Sequence, residues 1–417
     1  MERTILISLA AAALLCGAAA LTAAEEAPRS GWFGSAELAA TAPLQDDGKA
    51  GMEAETRLVY ESSPESGIGF RAEGGLRWTY GAASAEALAF DASLAERPRP
   101  EDLPPGTDLH RTVFLDQAYA EAALGPADLS FGVVPVAWGT GYVFNPTART
   151  APPSFPDDAA ETAPGALGAA LRVDLPAGFS AEGYALAEPR LRSDVPSGGE
   201  LAGDRFPFGV KAQFRSELID FSLSILRELP SADSGARLWT GADAAGFLGP
   251  LSWYAEAVLG LPDSRGSEAE DWDPLREAEA CAGLSWTVPG LEVVFRTEAA
   301  WFGAGSDDAD AYDAAELVAG ERALLARRYL FAMLEKEDPD AAKWTLSGGA
   351  LANLDDRSAA VLAEGKYRPS LSLELAVFVR AFLSDGDGEF GGTRSLGGGL
   401  DFVPYRSAAG VSARIDF

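Results

Sequence analysis

The chain has 417 residues, 47% of them hydrophobic, with 63 acidic against 33 basic side chains and a net charge of −30. So acidic a chain has nothing to spare for neutralising phosphates, which excludes a general nucleic-acid binder. A mean hydropathy near zero excludes a disordered chain, and with Cys16, Cys281 and a single histidine, His110, a disulfide framework is excluded too.

Arg3 precedes an apolar run from Ile5 to Leu21, then Thr22-Ala23-Ala24 and Glu25-Glu26. A basic start, a short apolar core and small residues before a polar break make a secretory signal over 1–24, cut after Ala24. A lone membrane anchor is the rival, and the small-residue exit argues against it. Cys16 raises a lipoprotein site, but Leu15 before it is bulky where a small residue is usual. The expectation is export in a diderm bacterium, with residues 25–417 forming one unit. Beyond the signal no apolar run approaches the roughly 18 residues of a spanning helix.

The rest of the chain alternates with period two. In "GMEAETRLVY" the outward set is Met52, Ala54, Thr56, Leu58 and Tyr60, against Glu53, Glu55, Arg57 and Val59. In "IGFRAEGGLRWTY" Ile68, Phe70, Ala72, Gly74, Leu76, Trp78 and Tyr80 oppose Arg71, Glu73 and Arg77. "RFPFGVKAQFR" sets Phe206, Phe208, Val210, Ala212 and Phe214 against Arg205, Lys211, Gln213 and Arg215. "LSLELAVFVRA" sets Leu371, Leu373, Leu375, Val377 and Val379 against Ser372, Glu374 and Arg380. Each stretch is about ten residues, the length of a tilted membrane-crossing strand.

Tight breaks fall at Gly125-Pro126, Pro176-Ala177-Gly178, Gly249-Pro250, Pro289-Gly290 and Arg368-Pro369, and read as hairpin turns. Long polar connections occupy 81–110, 139–165, 189–204, 261–275, 304–325 and 383–391. Short turns at one end and long loops at the other are the anatomy of an outer-membrane barrel. Only "DAAELVAGERALLARR", 313–328, reads helical, and it is a candidate plug. Enumeration gives about 19 strands, whereas a single-chain barrel needs an even count. "ALAFDASLAE" is the segment where a strand is hidden or falsely added. The expected fold is all-β, a transmembrane antiparallel barrel of about 16 to 18 strands with long extracellular loops. A soluble β-sandwich also alternates, but its strands are shorter and its exposed face is not so consistently charged. Aromatics at strand ends (Trp78, Tyr80, Trp138, Tyr142, Trp286 and Trp301) read as interfacial girdles.

The chain ends "GVSARIDF", with Val411, Ala413, Ile415 and Phe417 on one face and Ser412, Arg414 and Asp416 on the other. A last strand that closes the ring explains an amphipathic end. Outer-membrane barrels commonly end in an aromatic residue, and the resemblance implies that Phe417 is an insertion signal read by the barrel-assembly machinery.

The stretch "LSFGVVPVAWGTGYVFNPT", 129–147, is the most distinctive. With the preceding "LDQAYAEAAL" it resembles the alginate-export group of porin-like outer-membrane proteins and related uncharacterised barrels. In these a strand ends in Trp-Gly and a loop carries Phe-Asn-Pro, here Trp138, Gly139, Gly141, Phe144, Asn145 and Pro146. The basic and amide residues that such relatives carry after the strand glycine are replaced by Val133 and Val134. Without the resemblance, Trp138 is a girdle residue and Asn145-Pro146 a turn.

Other motifs are weaker. "SDGDGEF" offers Asp385, Asp387 and Glu389 at alternate positions but lacks the later ligands of a calcium loop. The acidic connection 263–279 suits solvation or loose divalent binding. His110, two residues from Asp108, is the one group that could serve a hydrolase, and Cys281 has no neighbouring Cys or His to share a metal. The expected function is passive or weakly selective diffusion of small polar solutes, cation-leaning, with no enzyme, metal or cofactor. The lumen would be lined by Arg57, Arg71, Arg77, Arg205, Lys211, Arg215 and Arg380 facing Glu53, Glu55, Glu73, Glu374 and Asp416. The alternative is a plugged structural or adhesive surface protein. Partners are outer-membrane lipid and the assembly machinery; solute and oligomeric state stay open.

Overall fold

A strand that alternates apolar and charged residues can meet lipid on one face and water on the other only if its edges are paired. The computed structural model obeys that rule. It describes residues 30–44, 50–62, 67–81, 109–136, 138–149, 165–188, 207–227, 238–261, 272–313, 322, 324–337, 343–384, 388–390, 394–395, 401–402 and 407–417.

The first strands are β1 (Ser30–Pro43), β2 (Gly51–Ser62), β3 (Ile68–Gly81), β4 (Leu109–Leu124), β5 (Ala127–Val134) and β6 (Ala166–Asp174). Then come β7 (Phe179–Glu188), β8 (Phe208–Arg215), β9 (Ile219–Arg227), β10 (Leu238–Leu248), β11 (Leu251–Leu261) and β12 (Ala278–Val288). The last are β13 (Val293–Phe302), β14 (Arg328–Glu337), β15 (Trp344–Asn353), β16 (Ala359–Ser370), β17 (Leu373–Leu383) and β20 (Ala408–Asp416). Each pairs antiparallel with the next, and β20 pairs with both β17 and β1. The result is a closed 18-stranded sheet. A separate two-residue pair, β18 (Arg394–Ser395) with β19 (Asp401–Phe402), lies in the β17–β20 connection.

Connections alternate in length. One end has 63–67, 125–126, 175–178, 216–218, 249–250, 289–292, 338–343 and 371–372; the other has, among longer ones, 82–108, 135–165, 189–207, 303–327 and 384–407. Both ends of the barrel chain lie on the short-turn side, as an even count requires. The seam is sealed past the last strand, where the Gly34 amide donates to the Phe417 carbonyl at 2.7 Å and the Phe417 amide returns to Gly34 at 2.9 Å.

The alternation sorts side chains as physics demands. Phe70, Phe131 and Val377 are 53%, 66% and 61% exposed on the outer surface, whereas Glu73 and Glu298 on the inner face are 4% and 1% exposed. The interior holds two buried apolar clusters. One gathers Val134, Val136, Trp138, Tyr184, Leu186 and Trp239; the other gathers Phe144, Cys281, Tyr329, Phe331, Leu351 and Phe390.

Four expectations change. The enumeration of about 19 strands resolves to 18 in the ring; "ALAFDASLAE" lies outside the described residues. Arg368-Pro369 is not the turn: the pairing of β16 with β17 slips between Tyr367 and Ser370, and the chain reverses at 371–372. Proline has no N–H for the ladder, so it sits where pairing is irregular. The strand before Trp138 stops at Val134, and both Trp138 and Tyr142 turn inward, so neither belongs to a girdle. Within the helical expectation 313–328, residues 324–328 are not helical: Ala326 bridges Ser306 and Arg328 opens β14.

Candidate functional site: the lumen and its inward segment

After β5 the chain turns into the barrel instead of rising out of it, and residues 135–136 and 138–149 lie against the inner wall. Two glutamates hold them there. Glu256 on β11 accepts hydrogen bonds from the amides of Thr140 and Gly141, the latter at 2.6 Å, and from the amide and hydroxyl of Thr147 at 3.3 and 2.9 Å. Glu298 on β13 accepts the amides of Tyr142, Val143 and Phe144 at 3.1, 3.0 and 2.8 Å and the Tyr254 hydroxyl. Five consecutive backbone N–H groups thus end on two carboxylates, which satisfies donors that a loop buried in a barrel would otherwise strand.

That geometry explains the glycines of the motif. Gly139 has φ +118°, and a Cβ there would come within 2.7 Å of Asn145 Oδ1 and 2.9 Å of Glu256 Oε1. A Cβ on Gly141 would lie 1.9 Å from the Phe144 carbonyl oxygen. Only glycine lets this backbone close on the carboxylate.

The remaining motif residues are anchors. Trp138 packs edge-on to Tyr184 with ring centroids 4.9 Å apart, and Phe144 meets Phe302 at 5.9 Å and Tyr329 at 6.2 Å. The Asn145 carbonyl accepts the Ala148 amide at 2.9 Å, closing the turn that carries the buried Pro146. The Cys281 thiol donates to the Phe144 carbonyl at 3.0 Å, so the cysteine is a packing group. Arg149 ends the segment, stacked 3.9 Å over Trp239 and paired with Glu279 at 2.7 Å. Tyr142 packs against the Phe144 cluster, with Arg296 4.9 Å from its ring centroid. Burial pushes the Tyr142 phenol up, and Arg296 opposes that rise.

The segment covers the wall of β6–β14. On the other side of the lumen the wall is ionic, half-buried to buried in its middle at Arg57, Glu55, Glu73 and Asp116 and exposed towards its ends. Arg57 pairs with Glu55, Glu73 and Asp116 at 3.1, 2.8 and 2.7 Å. Arg71 bridges Glu61 and Glu73, both at 3.0 Å, and Arg77 bridges Glu53 and Glu55 at 3.2 and 2.7 Å. The Phe114 ring lies 5.2 and 5.8 Å from the guanidinium carbons of Arg57 and Arg77. Arg71, Arg77 and Glu53 keep 30%, 36% and 40% of their side-chain surface exposed.

These charges do not form opposed acidic and basic rows across the lumen. They interleave on one wall, because neighbouring strands place inward residues side by side. Glu374 pairs with Arg368 at 2.6 Å and Arg380 lies 5.6 Å from the Phe378 centroid. Lys211 lies on the covered side, 3.9 Å from Asp243. Asp416 pairs with its own neighbour Arg414 at 2.9 Å, and Arg215 is exposed at the short-turn end of β8. Arg205 lies outside the described residues, as do Asp108, Asp385 and Asp387. The backbone of His110 lies in β4 opposite Thr79.

Glu256, Glu298 and Asp116 are absent from the sequence expectation. The first two were legible: each is an acid in the inward phase of an otherwise apolar strand. Asp116 was not. The β3–β4 register slips between Glu73 and Gly74, so Asp116 is an extra residue turned inward beside Gln117.

A closed antiparallel barrel with an apolar exterior and a charged interior is the architecture of the bacterial outer-membrane class. Among solved structures the chain is similar to Wzi of Escherichia coli, described as an outer-membrane, carbohydrate-binding β-barrel involved in group 1 capsule assembly. That likeness has a TM-score of 0.51 at 11% identity, over 93% of this chain and 84% of Wzi. It is also similar to mutants of Rhodopseudomonas blastica porin, one at TM-score 0.45 and 11% identity, over 93% of this chain and all of the porin. No protein-family model and no curated protein sequence matches the chain. The likeness to the alginate-export group therefore rests on the 129–147 motif and the preceding 115–124 segment alone.

Proposed function

We propose that the protein is an outer-membrane diffusion channel for small polar solutes, narrowed by residues 135–149. The reading rests on one observation above all: the inward segment covers one wall, while the facing wall of β2–β4 is lined by charged side chains, exposed at its ends in Arg71, Arg77, Glu53 and Glu61. Solutes pass along that wall. It carries Glu53, Glu55, Glu61, Glu73 and Asp116 against Arg57, Arg71 and Arg77, an acidic surplus that favours cations. Selectivity follows from width and lumen charge, with no catalytic step and no cofactor. Residues 1–24 serve as the export signal and Phe417 as the insertion signal.

Conductance of the refolded protein in a planar bilayer, with the reversal potential under a salt gradient, tests this. Ohmic steps with a cation-selective reversal potential are expected. Absence of any conductance from correctly folded barrels overturns it. The second reading, a plugged surface protein whose outer connections meet a partner, is favoured by the two apolar clusters inside the barrel, and silence in the bilayer would establish it.

A further inference from the structure

On the covered side of the lumen, the inner faces of β7–β10 carry a polar strip whose layout is fixed by register. Ser180 pairs with Gln213, Gln213 with Ser222, and Ser222 with Asp243. One inward position further towards the long connections, Lys211 pairs with Ser224. Cross-strand neighbours on one face stand about 5 Å apart, so the four strands make one patch about 15 Å across. Ser180, Ser222, Ser224 and Asp243 are 5%, 0%, 4% and 4% exposed.

Buried polar atoms are nearly always hydrogen-bonded, and here a group of them is not. The Ser180 and Ser224 hydroxyls, the Gln213 side-chain carbonyl and the Trp239 indole N–H have no hydrogen-bond partner among the described residues. The Lys211 ammonium reaches Asp243 only at 3.9 Å, beyond hydrogen-bond distance, while the Ser222 hydroxyl already donates to that carboxylate. Apolar side chains of the same shape would fold as well or better at the orphaned positions, so stability does not explain them. Groups that break the local rule together mark a place where the chain meets something else. The strip offers both kinds of group: Lys211 and Trp239 donate, Gln213 accepts, and each serine hydroxyl does either. Its charges cancel, Lys211 with Asp243 and Arg172 with Glu182 at 3.6 Å. An anion would meet the Asp243 carboxylate, and a cation would meet the Lys211 ammonium. A neutral molecule with several hydroxyls matches every position, because each hydroxyl both donates and accepts.

We propose that the inner face of β7–β10 is a binding subsite for a neutral polyhydroxyl solute of hexitol size, held by Ser180, Gln213, Ser224 and Lys211. Thr147 of the inward segment closes its upper edge: a Cβ on Gly241 would lie 2.7 Å from Ser224 Oγ and 3.2 Å from Thr147 Cγ2. Towards β7 and the short turns, Gln213 and Glu182 are only half-buried, and the solute approaches from that end. The subsite gives the channel a solute class, and its part in passage rests on the channel reading; the binding itself does not.

The test is a saturation-transfer NMR titration of the refolded full chain with sorbitol, and with its close analogues gluconate, an anion, and N-methylglucamine, a cation. Sorbitol should bind most tightly of the three. Ser224→Ala and Gln213→Met each remove an orphaned atom. Each should keep the thermal midpoint at or above the wild-type value and weaken sorbitol binding by roughly two- to tenfold. Ser252→Ala, whose hydroxyl already donates to the Ser285 carbonyl at 3.3 Å, should leave the affinity unchanged. Tighter binding of either charged analogue overturns the neutral class. Absence of sorbitol binding in barrels whose heat-dependent gel mobility shows them folded overturns the subsite. So does a lowered midpoint with unchanged affinity in both variants, which would assign these groups to the fold. Binding without conductance leaves the subsite standing and removes the channel; conductance without binding does the reverse.

Discussion

The amide of Phe144 donates to the Glu298 carboxylate at 2.8 Å, joining residues 154 positions apart. That bond, with its neighbours at Tyr142 and Val143, decides the shape of the lumen. Glu298→Ala would leave the Val143 and Phe144 amides and the Tyr254 hydroxyl without that acceptor, and the Tyr142 amide with only the Tyr254 hydroxyl at 3.3 Å. Each such group costs about 1–3 kcal/mol when buried and unsatisfied, so the segment should leave the wall. No ladder bond is lost, so the barrel should still fold. Single-channel recording should show a larger, noisier conductance, with a smaller change for Glu298→Gln. Unchanged conductance in both variants would show that the segment does not set the pore width.

Gly139→Ala attacks the same contact from the other partner. Its φ of +118° is strained for any side chain, and the added Cβ meets both Asn145 and Glu256. A penalty of about 1–3 kcal/mol follows from the backbone alone. Amide exchange at residues 140–144 should accelerate by roughly five- to 150-fold, since each 1.4 kcal/mol is about a factor of ten in the opening equilibrium. Protection equal to wild type would mean that the glycine is dispensable.

Phe70 and Arg71 are adjacent and face opposite sides. Phe70 lies near the short-turn rim, opposite Ser62, so Phe70→Arg sets a cation against lipid at a cost nearer the ~0–1 kcal/mol of an interface than the midplane value, and should reduce the assembled fraction modestly. Arg71→Glu removes the partner of Glu61 and Glu73 and shifts the wall by two charges. It should keep the fold and increase cation preference, read as a shift in reversal potential. Tolerance of the first and collapse of the second would invert the facing of β3.

Deleting the last three residues, Ile415 to Phe417, removes the Gly34–Phe417 pair and the end of the β1–β20 ladder. An open edge in lipid exposes unpaired backbone groups. Heat-modifiable barrel recovered from membranes should fall severalfold, against little change for a deletion of equal size in the acidic connection 263–271. Equal yields would remove the terminal strand from the assembly signal.

Period-two alternation with the spacing of turns and loops was enough to point to the barrel and to the facing of its strands, because a strand between lipid and water must alternate; the number 18 came only from the strand pairing, since enumeration gave about 19. Residues such as Phe70 against Arg71, or Val210 against Lys211, carry that information locally. The turns were nearly as legible, failing at Arg368-Pro369 only because proline marks irregular pairing as readily as a reversal. What fills the lumen was decided by tertiary structure. The motif around Trp138 announces glycine-rich backbone without saying what it approaches, and Glu256 and Glu298 announce inward acids without saying what they hold. Only closure of the ring brings β11 and β13 opposite the exit of β5, and only then do six amides and two carboxylates become one another's partners.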